Sequence, residues 1–104
     1  MEKSTTILEE ISTECLSHMT RYKYGKYLKD SEKYKKGRIT ASSWVNDLIF
    51  HFIQKESNFL IEFKEHIQNQ KEELKRLNDG DYKQGLYDEL NIIEDLLNDR
   101  SNSR

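Results

Sequence analysis

The chain has 104 residues with 17 basic and 19 acidic side chains, a balance of −2, and only 35% of it is apolar. That length supports one domain with a narrow core. A lone cysteine rules out an intramolecular disulfide framework, and the absence of proline with only four glycines argues against a turn-rich β fold.

The first predicted element is a helix over residues 4–20, opened by Ser4 or Thr5 as cap. Ile7, Ile11, Cys15 and Met19 recur every fourth position, and Leu8 and Leu16 are expected to widen this buried stripe.

Residues 21–39 follow as a basic, tyrosine-rich connector. Its cations are Arg21, Lys23, Lys26, Lys29, Lys33, Lys35, Lys36 and Arg38, against Asp30 and Glu32. The segment therefore carries +6 and leaves the rest of the chain at −8. Tyr22, Tyr24, Tyr27 and Tyr34 stand among these charges. Lysines bind phosphate as point charges and tyrosine rings stack on exposed bases, so a DNA or RNA contact is one expectation. An acidic protein partner is a second. The third is structural: Tyr24, Tyr27 and Tyr34 pack their rings on the bundle with hydroxyls in water, and the lysines simply surround them.

Thr40 reads as the cap of a second helix after a break at Gly37. From 41 to 77 nothing interrupts helix, which predicts a rod of roughly 55 Å. Leu60, Phe63, Ile67, Gln70, Leu74 and Leu77 form a heptad seam along it. Phe50 and Ile61 fall within about 20° of each other on its opposite side, a candidate second interface.

Asn78, Asp79 and Gly80 supply a turn, with Asp79 or Asp81 capping a third helix over 81–98. Tyr82, Leu86, Leu90, Ile93 and Leu97 are its seam, expected to fold back over the half from Phe59 to Leu77. Residues 99–104 read as a disordered tail.

The fold class expected is all-α: a long helical hairpin with the N-terminal helix packed across it, a thin three-helix bundle that dimerises. Chemistry is sparse. Cys15 and His18 lack an oxyanion turn. His18, His51 and His66 are far apart and have no glutamate three residues before them, so no metal or cofactor is expected. The glycines never cluster into a phosphate cradle. The N-terminus lacks a basic n-region followed by an apolar run, and no apolar stretch reaches the about 20 residues a bilayer requires. These features predict a non-enzymatic cytoplasmic adaptor that engages a protein partner or itself, with no membrane contact and no small-molecule substrate. Its contact residues would be the eight cations with Tyr24, Tyr27 and Tyr34.

The run KKGRITASSWVNDLIFHFI resembles the second helix of antitoxin-type ribbon–helix–helix proteins through Gly37, Arg38, Ala41, Ser42, Val45 and Leu48. The resemblance implies that Arg21, Lys23 and Gly25 alternate along a strand that enters a major groove in a dimer. This chain departs from the pattern by placing a complete helix ahead of that strand.

Overall fold

The computed structural model describes residues 2–25, 29–53 and 60–102. They form four helices, α1 (Glu2–Tyr24), α2 (Glu32–Ile53), α3 (Leu60–Leu74) and α4 (Asp81–Asn102). No strand occurs among the described residues. Arg21 and Lys23 lie in the last turn of α1, so the strand implied by the ribbon–helix–helix likeness is absent there.

Helix α1 continues to Tyr24 rather than ending at 20, and α4 continues to Asn102, through residues 99–102 of the tail expected to be disordered. Two larger differences from the sequence expectation have identifiable physical reasons. The cap of α2 is Ser31, whose Oγ accepts the Tyr34 amide at 3.1 Å, while its carbonyl accepts the Lys35 amide at 3.0 Å. Much of the expected connector is therefore helix, and Thr40 sits inside α2. Gly37 does not end the helix. It is buried within it, and its missing side chain has a packing use described below.

The second difference concerns the rod expected over 41–77. The rings of Phe52 and Phe63 have centroids 5.7 Å apart, and those of Phe52 and His66 are 5.5 Å apart. On one unbroken helix these pairs would be separated by about 16 and 21 Å along the axis. The chain therefore reverses between α2 and α3. The molecule is only 39 Å in its longest dimension, too short for the rod. Residues 54–59 themselves, including Phe59 of the expected seam, lie outside the described residues.

Cross-helix bonds fix the directions. Ser12 donates to Asn46 at 2.5 Å, and Arg38 reaches back to Tyr22, so α1 and α2 are antiparallel. Ser31 bonds Asp81 and Arg38 bonds Glu89, so α2 and α4 run the same way. Gln68 bonds Glu94, and the Tyr87 hydroxyl donates to the Lys71 carbonyl, which turns α3 against α4. The most extensive pairing is between α2 and α4, with α1 and α3 flanking that pair and scarcely touching each other. The fold-back of the last helix is thus mainly onto α2, with α3 its lesser neighbour.

The α2–α4 approach rests on two glycines. A methyl added at Gly37 would overlap the Tyr82 carbonyl and lie 2.9 Å from the Leu86 amide nitrogen. One added at Gly85 would overlap the Tyr34 carbonyl and lie 3.0 Å from the Arg38 amide nitrogen. The backbones cross there in direct contact, closer than any side chain allows. Below the crossing the expected stripes meet in one core. Ile7, Leu8, Ile11 and Cys15 pack with Ala41, Val45, Ile49 and Phe52, with Phe63, Ile67 and Leu74, and with Leu86, Leu90, Ile93 and Leu97. Leu16 does not join them. It is 52% exposed, outside the stripe it was expected to widen.

Candidate functional site

The crossing carries α2 and α4 past each other with charged residues on both. Arg38 follows Gly37 and is only 7% exposed, and Glu89, one turn beyond Gly85, is fully buried. Arg38 Nε donates to Glu89 Oε1 at 2.7 Å. Its Nη1 donates to the Tyr22 hydroxyl at 2.8 Å and the Tyr34 hydroxyl at 3.1 Å. The guanidinium also lies 4.6 Å from the Tyr22 ring centre, a cation–π contact, while the two tyrosine rings meet edge to face at 6.3 Å. The Tyr34 hydroxyl in turn donates to Asp88 at 2.6 Å.

The second carboxylate oxygen of Glu89 faces α1. His18 Nδ1 lies 2.6 Å from it and carries the donated hydrogen, because a carboxylate only accepts. Glu14 stands 3.6 Å from the other ring nitrogen. Buried Ser42 faces the same carboxylate without a hydrogen bond of normal geometry. A buried ion survives when its lone pairs are filled by such donors. Burial raises the cost of charge on Glu89, but the donors around it prevail and hold its carboxyl below the usual range. On Arg38 burial pulls the pKa down, and the bonds to Glu89 and Tyr34 overcome it to hold the guanidinium above its ordinary value. The Tyr34 phenol is pushed up to about 12, first by burial and then by its bond to Asp88.

Cys15 borders this network. Burial, followed by the nearby charges of Glu89 and Glu14, pushes its thiol up to about 12, so it is protonated at neutral pH and no nucleophile. Among the described residues no group of three or more His, Cys, Asp or Glu side chains could hold a metal. Nor is any helix there long and apolar enough to cross a membrane.

The candidate contact residues divide accordingly. Arg38 and Tyr34 are turned inward, and Lys35 is half-buried and paired with Glu32 at 3.1 Å. Arg21, Lys23, Lys29, Lys33 and Lys36 are exposed, and none has a carboxylate partner among the described residues. They gather at the corner where α1 ends and α2 begins. Tyr24 is 67% exposed there, with Lys23 Nζ 5.6 Å from its ring centre. Lys26 and Tyr27 lie outside the described residues. Among the other described cations most are matched, Lys71 with Glu94, Lys75 with Glu72, Arg76 with Glu73, Lys83 with Asp79 and Arg100 with Glu10, and Lys64 on α3 is the exception. Phe50 and Ile61 remain exposed at the far end, but on separate helices, so the shared line expected along one rod does not exist.

Sequence reasoning assigns no contact to Glu89, His18, Asp88 or Ser42. The one available signal is the place of Glu89 on the apolar face of α4, three residues after Leu86 and four before Ile93. Compared with known proteins, the chain matches no family model, no curated protein and no solved structure.

Proposed function

We propose that this protein is a small non-enzymatic interaction module that works as a homodimer and receives an acidic surface of a partner protein at the corner between α1 and α2. The observation that carries this reading is the set of unmatched cations, Arg21, Lys23, Lys29, Lys33 and Lys36, in a molecule whose lysines and arginines are otherwise mostly neutralised. Unpaired cations gathered on one face raise the local potential and steer an acidic surface toward it. Arg38 supports the corner from beneath, joining the last turn of α1 through Tyr22 to the first turn of α2 through Tyr34.

A second reading, phosphate contact with DNA or RNA, rests on the same cations and on the exposed ring of Tyr24. It is the weaker of the two because Tyr22 and Tyr34 engage their rings with Arg38 rather than offering them to bases.

The test is fluorescence anisotropy with a labelled Asp/Glu-rich peptide and with single- and double-stranded oligonucleotides, each across a salt series. The peptide should bind, weaken with salt, and lose about tenfold or more in affinity when Lys29, Lys33 and Lys36 are all changed to Glu. Tighter binding of oligonucleotides, with a steep salt slope that the same substitutions flatten, would put the second reading first. Failure to bind either probe at low salt would overturn both.

A further inference from the structure

We propose that the outward face of α1 is the contact between two copies of this chain, packed antiparallel about a two-fold axis at Leu16; this rests on the homodimer reading above. Leu16 is 52% exposed, whereas Ile7, Leu8 and Ile11 of the same helix are wholly buried. Glu9, Leu16 and Lys23 are spaced by seven, so they form one stripe that drifts only about 20° per step. Thr13 and Thr20 flank Leu16 on the solvent side. Their hydroxyls are bonded back to the carbonyls of Glu9 and Leu16, at 3.1 and 2.9 Å, which satisfies them within the helix. The surroundings of Leu16 are therefore poor in groups that need water.

Charge selects the occupant and its direction. Glu9 and Lys23 are both exposed, and neither has an opposite charge beside it among the described residues. Each stands seven residues from Leu16, about 10 Å along the axis. In an antiparallel pair centred on Leu16, Glu9 of each copy faces Lys23 of the other, so two ion pairs close at once and the acidic partner is left to Arg21, Lys29, Lys33 and Lys36. A parallel pair would instead set Glu9 against Glu9 and Lys23 against Lys23, which like-charge repulsion opposes. An identical helix thus supplies the charge pattern that this stripe requires. Phe50, level with Glu9 because Asn46 is bonded to Ser12 one turn away, would border the contact from α2.

The experiment is sedimentation equilibrium on the full chain and on three variants, L16K, E9K and K23E, with circular dichroism to confirm that each folds. All three positions are exposed, so the fold should survive. Wild type should dimerise, and L16K should raise the dissociation constant at least about tenfold. E9K and K23E should each weaken the dimer alone, yet form mixed dimers when combined. In the mixture the new lysine of one copy faces the new glutamate of the other, and the native Lys23 of the first faces the native Glu9 of the second. Monomeric wild type would overturn the homodimer reading together with this contact. A dimer indifferent to L16K would overturn the contact alone, and an L16K monomer without rescue in the E9K and K23E mixture would overturn the antiparallel register.

Discussion

Arg38 shows how one residue type serves opposite ends. In the sequence it is the last of eight clustered cations and reads as surface. In the structure it is the one cation among the described residues of that segment drawn into the interior, because helix α2 is capped at Ser31 and turns position 38 toward α4. Nothing local to the sequence announces Glu89 as its partner, since they stand 51 positions apart. Removing one member of a buried pair strands the other, which costs about 3–5 kcal/mol. E89Q should therefore lower stability by roughly that amount in urea unfolding, while the double change R38M with E89L should recover much of the loss. Equal midpoints for E89Q and wild type would mean that the network contributes nothing. The pH dependence has a definite sign. The carboxyl of Glu89 is held lower in the folded chain than in the unfolded one, so its contribution is full above the ordinary carboxylate range. It is lost as pH falls below that range, a loss that E89Q should not show.

At the scale of the helix, apolar periodicity is readable in the sequence and interruptions are not. Of the expected stripes, Ile7, Ile11, Cys15 and Leu86, Leu90, Ile93, Leu97 are buried as their spacing predicts, while Met19 and Tyr82 at their ends are only half-buried. Gly37 misleads because a glycine in a helix usually marks its end, and the reason for this one lies on another helix. The continuous rod fails for a related reason. Residues 41–77 contain neither proline nor glycine to mark a break, and the packing of Phe52 on Phe63 outweighs local propensity. The glycines yield a test with a reversed sign. Alanine normally stabilises a helix by about 1 kcal/mol over glycine. Here G37A or G85A should destabilise by about 2 kcal/mol or more, since the new methyl overlaps backbone that cannot move aside. A raised melting temperature in either variant would refute the direct crossing.

Over the whole molecule, α2 and α4 form a central pair braced by α1 through ions and tyrosines, while α3 is attached differently. Its polar links are peripheral, Lys71 with Glu94 and the Tyr87 hydroxyl to the Lys71 carbonyl. A cavity of about 80 Å3 remains beneath it, bordered by Thr40, Trp44, Leu74, Leu86 and half-buried Gln70. Gln70 is a seam residue by its spacing, and the structure leaves it at the seam's imperfect part. Elements with few backbone approaches open at lower free energy than the global value. Amides of α3 should thus exchange with deuterium well before those of α2 and α4 under native conditions. Equal protection across all four helices would show α3 to be as firmly held as the rest.

The bond between His18 and Glu89 joins positions 71 apart in the chain, and the one between Arg38 and Glu89 joins positions 51 apart. Neither can close until α4 has been synthesised and has come back over α2, whereas α1 and α2 neighbour each other from the start. The buried charges therefore enter last, after the slow search over long loops is finished. E89Q should accordingly accelerate unfolding in stopped-flow experiments and leave the refolding limb of the chevron nearly unchanged. The ionic centre would then act as a brake on unfolding, governing how long the native state persists more than how fast it is reached.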